Sequence, residues 1–197
     1  MIKKFYKYRP IINDEQLKFA LDIISKQRFY LSTINHFGDP FDAFQKKKFN
    51  FSNLKSLSLT ENGDNRLLWS YYACWYSGIM IELKLNIKDK PFENLKQVQY
   101  TESENELFNN LKKENCFLKS AEFKHEKEWR GIFNTTEPFI NFNVTDIKNV
   151  TIGPSLKSDY RKKIITICKE LKIVVFDYEH IDGIPNMNKK TICQHRV

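Results

Sequence analysis

The sequence predicts an α+β domain: a mixed or antiparallel sheet of about six to eight short strands, with three or four helices. Three observations predict it. Short runs rich in β-branched and aromatic residues recur along the chain, bounded by Gly, Pro, Asn and Asp. Capping signals precede two stretches whose apolar residues recur with helical spacing. A hydrophobic content of 41% with 14% aromatics among 197 residues excludes wholesale disorder and is enough to bury a core.

In chain order, Phe5 to Arg9 reads as a strand ended by Pro10, which drives the preceding residue out of the helical region. Asn13-Asp-Glu-Gln16 is a capping-box pattern, and Leu17, Ala20, Leu21 and Ile24 share one face of the helix that follows. Arg28 to Ser32 is the next strand, running into a turn imposed by Gly38 and Pro40. Lys55 to Thr60 reads as a strand, Asn65 caps a helix over Leu67 to Trp75, and Ile79 to Leu83 is β-favouring. Val98 to Tyr100 is a weaker strand, followed by a helix over Glu104 to Leu118. Trp129 to Phe133 and Phe139 to Val144 read as a hairpin turned at Thr135-Thr-Glu-Pro138.

The end reads as strand Val150 to Ile152, helix Asp159 to Leu171 and strand Val174 to Tyr178. Tyr160, Ile164, Ile167, Cys168 and Leu171 make that helix amphipathic. With no Gly-, Ser- or Pro-rich linker, residues 1–180 are expected to be one domain and 181–197 a tail without pattern.

The net charge of +8 invites a nucleic-acid reading, but the lysines are scattered and the densest run is Lys46-Lys-Lys48. Cys74, Cys116, Cys168 and Cys193 lie far apart and no clustered His spacing accompanies them, so no metal site is expected. The amino-terminal residues do not read as a signal peptide, and no apolar run approaches membrane-spanning length. The expectation is a cytoplasmic protein with reduced thiols.

The run Phe123-Lys-His-Glu-Lys-Glu-Trp-Arg130 carries the densest candidate chemistry. On an extended strand Glu126, Glu128 and Arg130 share one face, Trp129 points to the other, and His125 faces away from Glu126. The bland reading makes Glu128 and Arg130 a surface ion pair. Trp69 and Tyr72, three apart on a helix, share a face that is more often core than site. Asp39 and Asp42 flank Pro40-Phe41, where Asx side chains commonly bond nearby backbone.

Tyr6-Lys-Tyr-Arg9, Tyr30-Leu-Ser-Thr33, Gly38-Asp-Pro-Phe-Asp42, Ser56-Leu-Ser58, Leu68-Trp-Ser-Tyr-Tyr-Ala73, Gly78-Ile-Met-Ile-Glu82, Glu126-Lys-Glu-Trp-Arg130 and Ile152-Gly-Pro154 occur in this order. Together they resemble the bacterial family known as domain of unknown function 2971. Gly38 stands where that family usually has Asn, and its His near Trp75 or Tyr76 is missing. More distantly, the arrangement resembles ADP-ribosyltransferase folds, which place an Arg or His on an early strand, a Ser-Thr or Tyr element on a second and a Glu on a late one.

That resemblance implies NAD as substrate, with Glu128 and Glu126 stabilising the charge that develops on ribose as the nicotinamide bond breaks. It implies Arg9 on the diphosphate, since a guanidinium offers the bidentate geometry that Lys lacks. Tyr8, Ser32, Thr33, Asp39, Asp42 and Arg130 would line the site, and Trp69 or Tyr72 would stack on a ring. The spacing, 23 residues from Arg9 to Ser32 and 95 from Thr33 to Glu128, requires a large insertion. Three readings stay open: a nucleotide-cleaving enzyme with a protein or nucleic-acid acceptor, a binding module for a nucleotide or peptide, and a nucleic-acid-binding protein. The first includes a toxin or phage-conflict effector, a role associated with small mobile bacterial proteins.

Overall fold

A computed structural model describes residues 1–33, 53–103, 116–181 and 184–193. The fold is α+β, built on a mixed sheet, as the sequence predicts. By internal packing the chain divides into two compact units. The first comprises Met1–Lys3, Phe29–Asn62 and Asn86–Ile140, the second Lys4–Arg28, Gly63–Leu85 and Asn141–Val197.

In the second unit, β1 (Ile2–Pro10), β5 (Gly78–Asn86), β11 (Ile147–Ile152), β12 (Val174–Ile181) and β13 (Ile184–Cys193) lie side by side in the order β13-β12-β11-β5-β1. β11 runs parallel to β12, and the β11–β5 and β12–β13 pairings are antiparallel. Helices α1 (Asp14–Ser25) and α3 (Ser158–Glu170) pack together. A third helix, α2 (Arg66–Tyr72), lies between β-strand neighbours in sequence, ahead of β5.

The capping signals behave as their chemistry requires. Asn13 Oδ1 accepts from Gln16 N at 2.9 Å, while the Gln16 side chain accepts from Ile12 N rather than from the cap residue itself. α1 buries Leu17, Ala20, Ile23 and Ile24, so the inward stripe includes Ile23 and leaves Leu21 half-buried. Of the expected apolar stripe of α3, Ile164 and Cys168 are fully buried.

In the first unit, β4 (Leu54–Thr60), β9 (Glu128–Asn134) and β6 (Leu95–Gln97) form an antiparallel ladder, with β3 (Ser32–Thr33) on the far side of β4. Two small pairs accompany it: β2 (Arg28–Tyr30) with β10 (Phe139–Asn141), and β7 (Gln99–Thr101) with β8 (Leu118–Ser120).

Several expectations change. β9 and β10 are not a hairpin, because both edges of β9 are taken by β4 and β6, and β10 pairs with β2. Leu118, expected to end a helix, belongs to β8; residues 104–115 of that expectation, like the turn at Gly38 and Pro40, lie outside the described residues. The segment expected to be a patternless tail supplies β13. α2 stops at Tyr72 instead of Trp75 because Cys74, Trp75 and Tyr76 all take left-handed backbone, with φ of 45°, 54° and 65°.

Ile164→Ala should destabilise the protein by about 2–5 kcal/mol, and Leu21→Ala, half-buried, by clearly less. Denaturant melts in which the two cost the same would contradict this assignment of the inward face.

Candidate functional site

The Glu-Lys-Glu-Trp-Arg motif folds differently from an uninterrupted strand. Ala121–Glu126 is a 3-10 helix that Lys127 closes in a left-handed conformation, φ 45°, and only then does β9 begin at Glu128. Glu126 and Glu128 therefore do not alternate along one strand. They converge nonetheless, on a cation absent from the motif. Lys119 Nζ on β8 lies 2.7 Å from Glu126 Oε2 and 3.4 Å from Glu128 Oε2. The 3-10 turn is tied to the end of β4: Thr60 Oγ1 donates to the Glu126 carbonyl, and Asn62 Nδ2 to the His125 carbonyl at 3.0 Å.

Within β9, Glu128 and Arg130 share a face, as expected. Arg130 Nε donates to Glu128 Oε1 at 2.9 Å, its Nη2 to Oε2 at 3.1 Å and its Nη1 to the Cys116 carbonyl at 2.6 Å. The expected surface pair is instead a core pair: Glu128 is 6% and Arg130 1% exposed. The register with β4 sets Ser58 opposite Arg130 and Thr60 opposite Glu128. Trp129 takes the other face, with Lys3 Nζ 4.0 Å from its ring centroid.

Burial on its own would raise the pKa of Glu128. The charges of Arg130 and then Lys119, with hydrogen bonds from Arg130 and Ser58, outweigh it and hold the carboxyl down at about 2. Tyr100 Oη accepts from the Glu128 backbone N at 2.8 Å and is itself pushed up to about 12, chiefly by burial. Two acids and two bases thus form a neutral, hydrogen-bonded cluster. Ser58, Lys119 and Tyr100 were not expected in it. The alternation Ser56-Leu-Ser-Leu-Thr60 puts Ser58 on a polar face, but nothing local in the sequence ties Lys119 to the glutamates.

Of the remaining expected site residues, some belong to the first unit, some to the second, and two lie outside the described residues. Ser32 and Thr33 sit half-buried in β3, paired with Ser56 and Lys55, and Ser56 Oγ donates to the Ser32 carbonyl at 3.4 Å. Asp39 and Asp42 lie outside the described residues. Arg9, Tyr8, Trp69 and Tyr72 belong to the second unit, whereas Glu126, Glu128 and Arg130 belong to the first.

In that second unit, Trp69 is 0% exposed, stacked on Tyr76 at 5.3 Å and 6°, with Tyr8 edge-on at 5.3 Å and Tyr178 at 5.8 Å. Trp69 is core, not a ring on which a ligand could stack, and buried Tyr8 is core with it. Tyr72, 44% exposed, does not share that inward face. Arg9 Nε is buried without a hydrogen-bond partner, and among the described residues no carboxylate pairs with the guanidinium. Burial lowers its pKa, the direction of a cation lacking a counter-charge.

Among the described residues no group of three His, Cys, Asp or Glu is placed to hold a metal ion, and no helix is long and apolar enough to cross a membrane. Compared with known proteins, the chain matches no family model, no curated protein and no solved structure.

The cluster sets its own pH dependence. Because the folded carboxyl of Glu128 is depressed from 4.5 to about 2, its stabilisation is complete above the unfolded value and lost as pH falls toward 2. Arg130→Met, which leaves Glu128 buried without its main partner, should cost about 3–5 kcal/mol at neutral pH. It should also flatten the acid limb of the stability curve. Urea melts from neutral pH to pH 3 check both, and a cost under about 1 kcal/mol would mean that the pair behaves as a surface one.

Proposed function

We propose that the protein binds a nucleotide carrying a diphosphate, NAD foremost, through Arg9. The observation that carries this is the uncompensated guanidinium: a cation taken partly out of water without a counter-ion is costly, and a bound anion relieves it. The phosphate oxygens of a nucleotide suit the planar fork of Arg better than the point charge of Lys. Isothermal titration with NAD, ADP-ribose and ATP tests this reading. Arg9→Met should weaken binding by roughly tenfold to a hundredfold, given the strength of hydrogen bonds to charged groups, and Arg9→Lys should recover only part of it. Absence of binding by the wild-type protein to all three would end the proposal.

A second reading, cleavage of the nicotinamide–ribose bond in the manner of an ADP-ribosyltransferase or NAD glycohydrolase, is favoured by one observation. Glu128 is ionised at every physiological pH and hydrogen-bonded by Ser58 on the neighbouring strand, so a serine other than the expected Ser32 lies beside the glutamate. Against it, Arg130 and Lys119 already neutralise the carboxylate. Binding without turnover therefore ranks first. Nicotinamide release from NAD, with and without a lysate supplying a protein or nucleic-acid acceptor, separates the two. Under the cleavage reading, Ser58→Ala, which leaves both ion pairs in place, should lower release by at least tenfold with little change in melting temperature. Release that is absent from the wild type, or indifferent to Ser58→Ala, would remove the Ser58–Glu128 pair from any catalytic role.

A further inference from the structure

Leu67, Tyr71 and Trp75 lie in one short segment, the first two on α2 and the third in the left-handed turn that closes it, and all three are exposed. Tyr71 is 66% and Trp75 72% exposed, while the protein's other tryptophans, Trp69 and Trp129, are buried. Exposed large apolar residues scattered singly are ordinary, but Leu67, Tyr71 and Trp75 crowd one segment of nine residues.

The backbone that presents Trp75 is also unusual. Cys74, Trp75 and Tyr76 are consecutive non-glycine residues in left-handed conformation, each at a cost of order 1–3 kcal/mol. The turn is held from several directions. Trp75 N donates to the Ser70 carbonyl at 3.0 Å and Ser77 N to the Cys74 carbonyl at 3.0 Å. Ile11 N donates to the Ser77 carbonyl at 2.9 Å, and Tyr76 is stacked on Trp69. Gly78 and Gly153 permit the close approach of neighbouring chain: a Cβ on Gly78 would lie 2.1 Å from the Arg9 carbonyl oxygen, and one on Gly153 2.0 Å from that of Tyr76. Trp75 is thus an exposed ring on a fixed backbone, so that a partner that meets it need not order the turn beneath.

Charge indicates the partner. The unit that carries these residues has 18 Lys and Arg against 11 Asp and Glu, whereas the other unit is nearly balanced at 14 against 13. Almost all of the net +8 therefore belongs to the aromatic-bearing unit, and Arg66 stands exposed at the start of α2. Exposed rings on a cationic body suit a polyanion whose flat faces are open to stacking, whereas a duplex hides those faces and a second copy of this unit would repel it. We infer that the exposed side chains of Leu67, Tyr71 and Trp75 in the second unit form a stacking surface for single-stranded nucleic acid. This surface uses none of the residues assigned to the nucleotide, so either assignment can fail alone.

The test is fluorescence anisotropy of a labelled oligothymidylate with the full-length protein, repeated over a range of salt concentrations and against a duplex of equal length. The wild type should bind the single strand in preference to the duplex, with affinity falling as salt rises. Trp75→Ala and Tyr71→Ala should each weaken binding roughly five- to a hundredfold at fixed salt, and Trp75→Phe should retain most of it. Thermal melts run in parallel show whether each variant is folded; Tyr71, on the helix surface, serves if the substitution at Trp75 disturbs its turn. Absence of binding, preference for the duplex, or binding that depends on salt but not on Tyr71 and Trp75 would each overturn the inference. So would light scattering in which Trp75→Ala disperses a self-associated protein while oligothymidylate binding is unaffected; the exposed segment would then belong to a second copy.

Discussion

The first unit depends on one electrostatic constraint: two carboxylates and two cations removed from water together. Lys119, Glu126, Glu128 and Arg130 are each buried, and taking any one charge from water alone would cost several kcal/mol. The four are bearable only as a set, with Arg130 forked onto Glu128, Lys119 bridging both glutamates and Ser58 adding a hydrogen bond. The set also fixes register. Slipping β9 by one residue against β4 would exchange Trp129 for the charged pair on the same face, putting a ring where ions are paired and ions where a ring is packed. The left-handed Lys127 follows from the same requirement: it turns the chain between Glu126 and Glu128 so that both reach one ammonium.

A compensated carboxylate and an uncompensated guanidinium invite opposite functional readings. Glu128 is held ionised at neutral pH, which the stabilisation of a positive ribose demands, but its charge is already spent on Arg130 and Lys119. Stabilising a cation that appears only in a transition state requires negative charge not balanced in the ground state. Arg9 presents the reverse case, since burial disfavours its charge and no carboxylate among the described residues answers it. The residue with an unmet electrostatic need is therefore the arginine. Binding of an anion follows more directly than cleavage of a glycosidic bond.

Much of the fold was legible in the sequence because its signals are local. Asn13 and Asn65 cap the helices that they precede, and the strands expected at Lys55 to Thr60 and Val150 to Ile152 fall within those observed at Leu54–Thr60 and Ile147–Ile152. What escaped was decided at long range. Thr135-Thr-Glu-Pro138 has hairpin chemistry, but a hairpin needs a free edge on β9, and β4 and β6 occupy both. β13 reads Pro-Asn-Met-Asn-Lys-Lys through its middle, a composition without strand signal, and is a strand because β12 offers an open edge. The site was legible to the same degree. The sharing of one face by Glu128 and Arg130 follows from strand geometry, but burial of that face and the arrival of Lys119 depend on which strand lies alongside, and no spacing within Phe123–Arg130 encodes it.

The three left-handed residues after α2 show how packing overrides local preference. Helical spacing continues through Trp75, and a helix extended to that point would satisfy propensity better than Cys, Trp and Tyr at positive φ. The chain leaves the helix after Tyr72 and gives up that local energy because Tyr76 then stacks flat on Trp69, while the Ser77 carbonyl meets Ile11 N beyond the end of β1. Both glycines that admit neighbouring carbonyls, Gly78 and Gly153, lie against this turn, so a Cβ at either would break the same junction. Strain of this kind persists only where the surroundings over-determine the backbone. The backbone at Trp75 is consequently fixed by the core beneath it: the stacked pair Trp69 and Tyr76 holds the turn from which that exposed residue projects.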